Sequence, residues 1–196
     1  MGRPPLKKSA IERSALELFV EKGVDGTSIR DIAERAGVTE GALYRHHKGK
    51  DDLVRALFFE NHAGFAKMIS HLWKSDGRFQ VLIPDLVRAF FEFYDQDPYI
   101  FRFVMLVRHK LLEEVRADEK NPVELLSRIV REAMKRGEIP KGDEPLLTQL
   151  ILGMVMQTAV GQYYGRIDGP LVDRAETVAG YCLLVSGAEA ASAAAR

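Results

Sequence analysis

Apolar side chains recur every three or four residues along almost the whole chain, and this spacing limits what the chain can fold into. In the segment 8–22, for example, the apolar positions are Ile11, Ala15, Leu18 and Phe19. Residues at these intervals share one face of a helix with 3.6 residues per turn. The alternation of polar and apolar residues over four to eight positions, which indicates a strand, is missing. The sequence therefore predicts an all-α fold.

Helix-ending and helix-capping residues divide this pattern into nine helices. The first fifty residues hold three: one closed by Gly23, one that starts after Ser28 and breaks at Gly37, and one capped by Thr39. Six longer helices follow, at about 51–76, 79–97, 100–115, 122–137, 145–164 and 170–182. We therefore expect a three-helix N-terminal domain followed by a six-helix bundle.

The composition excludes several classes of protein. Hydrophobic residues make up 46% of the 196 residues, as in ordinary globular proteins. The single cysteine, Cys182, cannot form an intrachain disulfide, and the apolar runs are shorter than the roughly 18–20 residues of a membrane span. No glycine-rich phosphate loop and no metal-ligand spacing of His, Cys or carboxylates is present. We expect a cytoplasmic protein that is not an enzyme and has no catalytic residues, metal, cofactor or membrane partner.

The stretch from Thr27 to Lys50 is the most informative part of the sequence. Two helices of about eight residues flank Gly37, which can adopt the left-handed conformation that a tight turn needs. This is the pattern of a helix-turn-helix, whose second helix enters the major groove of DNA. A basic arm with Arg3, Lys7 and Lys8 precedes it. The whole chain has a formal net charge of zero, but residues 1–55 carry eleven Lys and Arg against nine Asp and Glu, so the positive charge is local.

This region resembles the TetR family of helix-turn-helix transcriptional regulators. The matching segments are 15–19, Lys22-Gly23, 27–33, 36–38, 41–46 and Lys50-Asp51, within a dense match over roughly residues 8–55. The resemblance implies a DNA-binding domain at residues 1–50 and a ligand-binding and dimerisation domain at residues 51–196. It implies a homodimeric repressor that binds a palindromic operator and is released by a small apolar or amphipathic effector. The family usually has a phenylalanine, which packs the end of the recognition helix, where this chain has His47.

Twelve residues at the two short helices are predicted to contact DNA. They are Thr27, Ser28, Arg30, Thr39, Glu40, Gly41, Ala42, Tyr44, Arg45, His46, Lys48 and Lys50. Tyr44 and Lys50 are expected at phosphates, and Glu40 can accept a hydrogen bond from cytosine N4. The alternatives are structural: Thr39 can cap its helix, Glu40 can favour the helix dipole, and Arg45 can be solvated.

The remaining two-thirds of the chain is rich in aromatic residues, which suit either a bundle core or an apolar pocket. The candidate effector contacts are His62, Phe65, Phe90, Phe93, Phe101, Met105, His109 and Gln157. The resemblance implies a dimer through the last two long helices, whereas small residues at that spacing also suit packing within one chain. Two other functions remain open: an activator of the same fold, and a helical small-molecule enzyme or carrier.

Overall fold

The computed structural model describes residues 6–73, 77–116 and 121–188, and these residues form helices and connecting turns without any strand. The prediction of an all-α fold is confirmed. The helices are α1 (Leu6–Lys22), α2 (Ile29–Arg35), α3 (Glu40–Tyr44), α4 (Lys50–Leu72), α5 (Phe79–Gln96), α6 (Pro98–Arg116), α7 (Pro122–Arg136), α8 (Glu144–Tyr163) and α9 (Ala175–Ser186). None of the described helices has the length and apolar character that a bilayer crossing requires.

The start of the last helix differs from the prediction. A helix was expected from Pro170, but a 3-10 turn over Leu171–Arg174 comes first and α9 begins at Ala175. The carboxylate of Asp95, near the end of α5, accepts hydrogen bonds from the backbone N–H groups of Leu171 and Val172, both at 2.9 Å. These bonds fix the turn to α5, so a distant side chain determines the local geometry.

The chain forms two compact units, and their boundaries do not follow the sequence order. The first unit comprises Met1–His62 and Pro98–Asp118, and the second comprises Ala63–Asp97 and Glu119–Arg196. Helix α6 therefore packs with the N-terminal helices, chiefly against α1. These units are defined by packing. The functional division into a DNA-binding domain at residues 1–50 and a regulatory domain at residues 51–196 stays a prediction.

The core of the first unit joins α1 to α2, α3, α4 and α6. Phe19 of α1 stacks on Phe103 of α6 with ring centroids 5.8 Å apart, and both rings are fully buried. The other large contributors are Ile11, Leu18, Ile32, Leu43, Leu53 and Phe58. Burying a side chain of this size contributes about 1.5–3 kcal/mol, so the short helices α2 and α3 are held in place by this core.

The core of the second unit is built from α5, α7, α8 and α9. Its best-packed pair is α5 with α9, followed by α7 with α8. Phe79, Ile83 and Phe91 of α5 are buried, as is Cys182 of α9. Burial raises the pKa of the Cys182 thiol to about 11, so this cysteine is a protonated core residue at neutral pH.

Candidate nucleic-acid interface

Helix α2 begins with a capping box that the sequence spacing predicts. The Ser28 hydroxyl oxygen accepts a hydrogen bond from Asp31 N–H at 3.1 Å. In return the Asp31 carboxylate accepts from Ser28 N–H at 2.8 Å and from the Ser28 hydroxyl at 2.6 Å. The hydroxyl and backbone bonds from Ser28 lower the pKa of Asp31 below its ordinary value. The start of α2 is therefore rigidly defined.

The turn between α2 and α3 depends on Gly37. Its φ of +64° is in the left-handed region, which side chains other than glycine rarely adopt. The next N–H, that of Val38, donates to the carbonyl oxygen of Ala33 at 2.9 Å. Thr39 then caps α3, because its hydroxyl oxygen accepts from Ala42 N–H at 3.2 Å. Turn and cap together fix the direction of the five-residue helix α3.

Most of the predicted DNA contacts lie exposed on or next to these two helices. Tyr44, the largest, is 53% exposed, so its hydroxyl is open to solvent. Nine of the twelve are exposed: Ser28, Arg30, Thr39, Glu40, Gly41, Tyr44, Arg45, His46 and Lys48. They combine hydroxyl, imidazole and cationic donors, which suit phosphate oxygens and base edges, with one carboxylate acceptor.

Two of the twelve predicted contacts are buried. Thr27 is 2% exposed, and its hydroxyl donates to the carbonyl oxygen of Gly23 at 2.8 Å and lies 3.2 Å from that of Leu18. Ala42 is 5% exposed because it packs on the inner side of α3. In this geometry their side chains position the helices and do not point to solvent.

Lys50 is partly buried and holds the backbone of a distant loop. Its ammonium group donates to the carbonyl oxygens of Val24 at 2.8 Å and Thr27 at 3.0 Å. An ammonium group has three N–H donors, so one of them remains for a phosphate. Lys50 thus fixes the segment that leads into α2, a role that the sequence does not reveal because the two carbonyls lie more than twenty residues away.

The basic arm is described only in part. Lys8 pairs with Glu12 on α1 at 3.3 Å. Arg3 lies outside the described residues, and the side chain of Lys7 is also not described.

Three of the predicted effector contacts come together in the second unit. The ring centroid of Phe65, on α4, lies 4.9 Å from that of Phe93 and 5.7 Å from that of Phe90, both on α5. All three rings are only partly buried. They form an apolar surface patch, and we call these three side chains the phenylalanine cluster.

The other predicted effector contacts are placed elsewhere. His62 stacks on Phe58 in the first unit, with ring centroids 5.4 Å apart. Phe101 is buried and Met105 partly buried on α6, whereas His109 on α6 and Gln157 on α8 are exposed. Four of the five therefore belong to the first unit and Gln157 to the second.

The second unit also contains an open cleft of about 730 Å³, and several charged side chains line it. Arg78, Lys135, Arg136 and Lys141 contribute to it, together with Glu138. The Glu138 carboxylate pairs with Arg136 at 2.9 Å and accepts from Phe79 N–H at 2.6 Å. None of the predicted effector residues lines this polar cleft. Among the described residues, no group of three His, Cys, Asp or Glu side chains is arranged to hold a metal ion.

Helices α8 and α9 carry apolar side chains on their outer faces. Leu184 of α9 is 73% exposed, and Leu146, Leu150, Tyr181 and Val185 are also exposed. Gly153 of α8 and Gly180 of α9 have no atom within 4 Å of the position that a Cβ would occupy. Glycine inside a helix is less favourable than alanine by about 1 kcal/mol, so the packing within the chain does not explain these two residues.

The residues that sequence reasoning missed lie around His47. This side chain is 4% exposed and lies between Glu12 of α1 and Asp52 of α4. No local motif connects these three positions, so only the folded structure brings them together.

Comparison with known families identifies the N-terminal region. A model of the family described as "Bacterial regulatory proteins, tetR family" matches residues 11–57. The tetracycline repressor protein class A from transposon 1721 of Escherichia coli is 39% identical over 74 residues, which are 36% of this chain and 34% of that protein. The match therefore spans about a third of the length of that relative. The fatty acid metabolism regulator protein of Bacillus subtilis (strain 168) is 26% identical over 150 residues, 74% of this chain and 77% of that protein.

Solved structures extend the similarity along the chain. The fatty acid degradation regulator FadR from Bacillus halodurans has a TM-score of 0.80 at 21% identity, over 93% of this chain and 97% of that one. The transcriptional regulator FadR from Bacillus subtilis, in complex with stearoyl-CoA, has a TM-score of 0.78 at 25% identity, over 93% and 100%. Together with the helix-turn-helix and its exposed polar face, these similarities show that residues 11–57 match the TetR family of bacterial regulatory proteins and that the chain shares its fold with solved regulators of this type.

Proposed function

We propose that this chain is a homodimeric repressor that binds a palindromic operator and leaves it when a small amphipathic effector binds. The observation that carries the proposal is the exposed face of α3, which presents Glu40, Tyr44 and the C-cap residue Arg45 to solvent, while the other side of the same helix is fixed in the core. A helix held in this way, with its polar N-terminal residues outward, is suited to the major groove. We propose no enzymatic reaction for this protein. Because its proposed partner is DNA, we also propose that it acts in the cytoplasm.

The nine exposed residues form the proposed DNA contact surface. Gly41 lets the backbone approach the groove, since nothing lies within 4 Å of its missing Cβ. Glu40 is the proposed base reader, and Tyr44, Arg45, His46 and Lys48 are proposed at phosphates. Lys50 contributes one remaining N–H in addition to its bonds to the loop before α2.

The proposed dimer forms through α8 and α9. A single recognition helix reads only a few base pairs, and two copies about one helical turn apart, or a multiple of it, give usable affinity. The exposed Leu184, Leu150 and Tyr181 supply the apolar area, and the open positions at Gly153 and Gly180 allow close approach of a second copy.

The proposed effector is a long-chain acyl thioester. Two FadR structures and a fatty acid metabolism regulator are among the similar proteins, one of them in complex with stearoyl-CoA. The phenylalanine cluster, formed by three partly buried rings, suits an alkyl chain. His62, Phe101, Met105, His109 and Gln157 remain candidate contacts.

For release, the effector must have a higher affinity for the conformation that cannot bind DNA than for the conformation that can. A coupling free energy of about 1–3 kcal/mol is typical and corresponds to a 5- to 150-fold change in affinity. Helix α4 begins next to the DNA-contact surface and carries Phe65 near its other end. We assign the transmission of this change to α4.

The test is fluorescence anisotropy of the purified protein with the DNA upstream of its own gene. We expect saturable binding that prefers this DNA over a scrambled duplex and weakens as salt rises. Glu40→Ala should change which bases are preferred, with little change in the salt dependence. Binding without sequence preference at every salt concentration would contradict the proposal.

The effector is tested in the same assay. Stearoyl-CoA should release the DNA, whereas coenzyme A without the acyl chain should not. A Phe65→Ala, Phe93→Ala double variant should bind DNA like the unchanged protein and respond less to stearoyl-CoA. If coenzyme A alone releases the DNA equally well, the assignment of the acyl chain to the phenylalanine cluster is wrong.

A further inference from the structure

His47 is a buried side chain held between two carboxylates from different helices. Its Nε2 lies 3.5 Å from Glu12 Oε1 on α1, and its Nδ1 lies 3.6 Å from Asp52 Oδ2 on α4. Its backbone N–H donates to Leu43 O at 3.0 Å, so the residue continues directly from the recognition helix α3. We call Glu12, His47 and Asp52 the His47 cluster. All three belong to the first unit.

The number of protons on the ring decides whether this cluster is satisfied. Glu12 Oε1 and His47 Nε2 are both buried, and neither has a hydrogen-bond partner. A neutral imidazole carries one N–H, so it can donate to only one of the two carboxylates and presents a lone pair to the other. The doubly protonated ring has a donor for each carboxylate. Small adjustments from 3.5 and 3.6 Å would make both contacts charge-assisted hydrogen bonds.

Charged side chains from two helices surround the ring. Glu12 and Asp52 carry two negative charges, and Lys8 on α1, 3.3 Å from Glu12 Oε1, carries one positive charge. Asp52 Oδ2 also accepts from the backbone N–H of Lys48 at 3.1 Å. A protonated His47 brings this set of side chains to neutrality. The neighbouring His46 is exposed and belongs to the proposed contact surface.

We propose that His47 is a positioning residue for DNA binding: its protonated ring ties the end of the recognition helix to α1 and α4. The operator affinity consequently falls as the pH rises and the ring loses its proton. Histidine is the side chain whose charge ordinarily changes between pH 5 and 8. The inference rests on the proposed DNA-binding function and adds a pH dependence to it.

The first experiment measures operator affinity of the full chain by anisotropy from pH 5.5 to pH 8.0 at constant ionic strength. Release of one proton per protomer can lower the operator affinity by at most about tenfold per pH unit for each protomer. We expect the operator affinity to fall about three- to tenfold in total between pH 5.5 and pH 8.0. His47→Phe, which keeps a ring of similar size, should remove this loss. His71→Gln, a change at an exposed histidine near the other end of α4, should keep the profile of the unchanged protein.

His46 is the competing source of a pH dependence, since a protonated exposed imidazole can bind a phosphate directly. The His46→Gln variant should still show the fall in operator affinity with rising pH that His47→Phe removes. If His46→Gln flattens the profile and His47→Phe does not, the proposal is overturned. If no variant binds the operator selectively at any pH, the proposed function itself fails, which is a different result.

A second variant keeps the test decisive if His47→Phe does not fold. Asp52 is 46% exposed, so Asp52→Asn removes one carboxylate at the edge of the cluster and should fold. With one carboxylate fewer, the doubly protonated ring keeps only one charged acceptor, Glu12. Proton NMR of the His47 ring in the folded protein, as well as the affinity profile, should therefore shift toward lower pH. A titration of His47 that is the same in both proteins would overturn the proposal.

Discussion

At the scale of single residues, Lys48 and Lys50 show how two neighbouring lysines acquire different roles. Lys48 is exposed and its ammonium group has no bond or ion pair to a described residue, whereas that of Lys50 donates to two backbone carbonyls. Hydrogen bonds from a charged group contribute about 1.5–3 kcal/mol each in favourable cases. Lys50 therefore supports the fold as well as the proposed DNA contact surface.

We predict that Lys50→Ala lowers the free energy of unfolding by about 1–3 kcal/mol and weakens DNA binding. Lys48→Ala should leave the unfolding free energy unchanged and reduce the slope of log affinity against log salt by about one. Urea unfolding and anisotropy at several salt concentrations measure the two quantities. Equal stability of both variants would show that the Lys50 contacts contribute nothing.

The residue scale also shows where prediction from sequence ends. Ser28 and Thr39 could be predicted as caps because a cap bonds within three residues of itself, and the structure confirms both. The contacts of Lys50 with Val24 and Thr27 depend on how α4 returns to the loop before α2. No local pattern encodes such a contact, so from the sequence we predicted only a phosphate as the partner of Lys50.

At the scale of elements, two glycines in the helix-turn-helix have opposite reasons to be glycine. Gly37 has φ +64°, and nothing crowds the position of its missing Cβ. Gly41 has an equally open Cβ position, but it lies within helix α3. The backbone conformation explains Gly37, while only the approach of another molecule explains Gly41.

We predict that Gly37→Ala lowers the unfolding free energy by about 1–2 kcal/mol, because alanine is strained in the left-handed region. Gly41→Ala should raise it by up to about 1 kcal/mol, because alanine favours the helix. Gly41→Ala should nevertheless weaken operator binding. Denaturant unfolding together with anisotropy checks both variants, and a Gly41→Ala protein that binds DNA normally would contradict the close approach proposed at this helix.

The capping box of α2 gives a prediction in acid. The hydrogen bonds from Ser28 hold the pKa of Asp31 below its ordinary value. Its contribution to stability is therefore complete above the unfolded pKa, near 3.9, and is lost as the pH falls through the lower folded pKa. The difference in melting temperature between the unchanged protein and Asp31→Asn should be constant from pH 7 to about pH 5 and shrink toward pH 3.

Glu34→Gln is the matched control for this experiment. Glu34 is exposed on the same helix, and its side chain makes no hydrogen bond or ion pair with a described residue. We expect its melting temperature to follow that of the unchanged protein over the same pH range. A constant Asp31→Asn difference down to pH 3 would mean that the box does not depend on the charge of Asp31.

At the scale of the whole molecule, the exposed apolar faces of α8 and α9 define the proposed dimer. We predict that Leu184→Glu produces a monomer, because it would bury a carboxylate in an apolar interface. Light scattering after size-exclusion chromatography measures the mass, and operator affinity should fall by at least tenfold once two half-sites are no longer held together. Val81→Glu, which changes an exposed apolar residue on α5, should remain a dimer. If the Leu184→Glu protein remains a dimer, the proposed interface through α8 and α9 is wrong.

The sequence predicts the architecture of this chain better than its grouping into units. Apolar spacing and caps are local, and the nine helices that they predicted match in order the helices observed among the described residues. The assignment of α6 to the same unit as α1 depends on contacts such as Phe19 with Phe103, which are 84 positions apart. For the same reason, the sequence could name the residues of the phenylalanine cluster without showing which of the eight candidates meet.

The membership of α6 in the first unit has a consequence for synthesis on the ribosome. Phe103, Val107 and Leu111 complete the core around Phe19, but residues 63–97 must be translated before α6 emerges. At roughly 5–20 residues per second, this interval lasts about 2–7 s. During that time the apolar side of α1 that Phe103, Val107 and Leu111 will cover stays exposed to water in the nascent chain. The core of the first unit therefore cannot be completed until residues 63–97, which belong to the second unit, have been made.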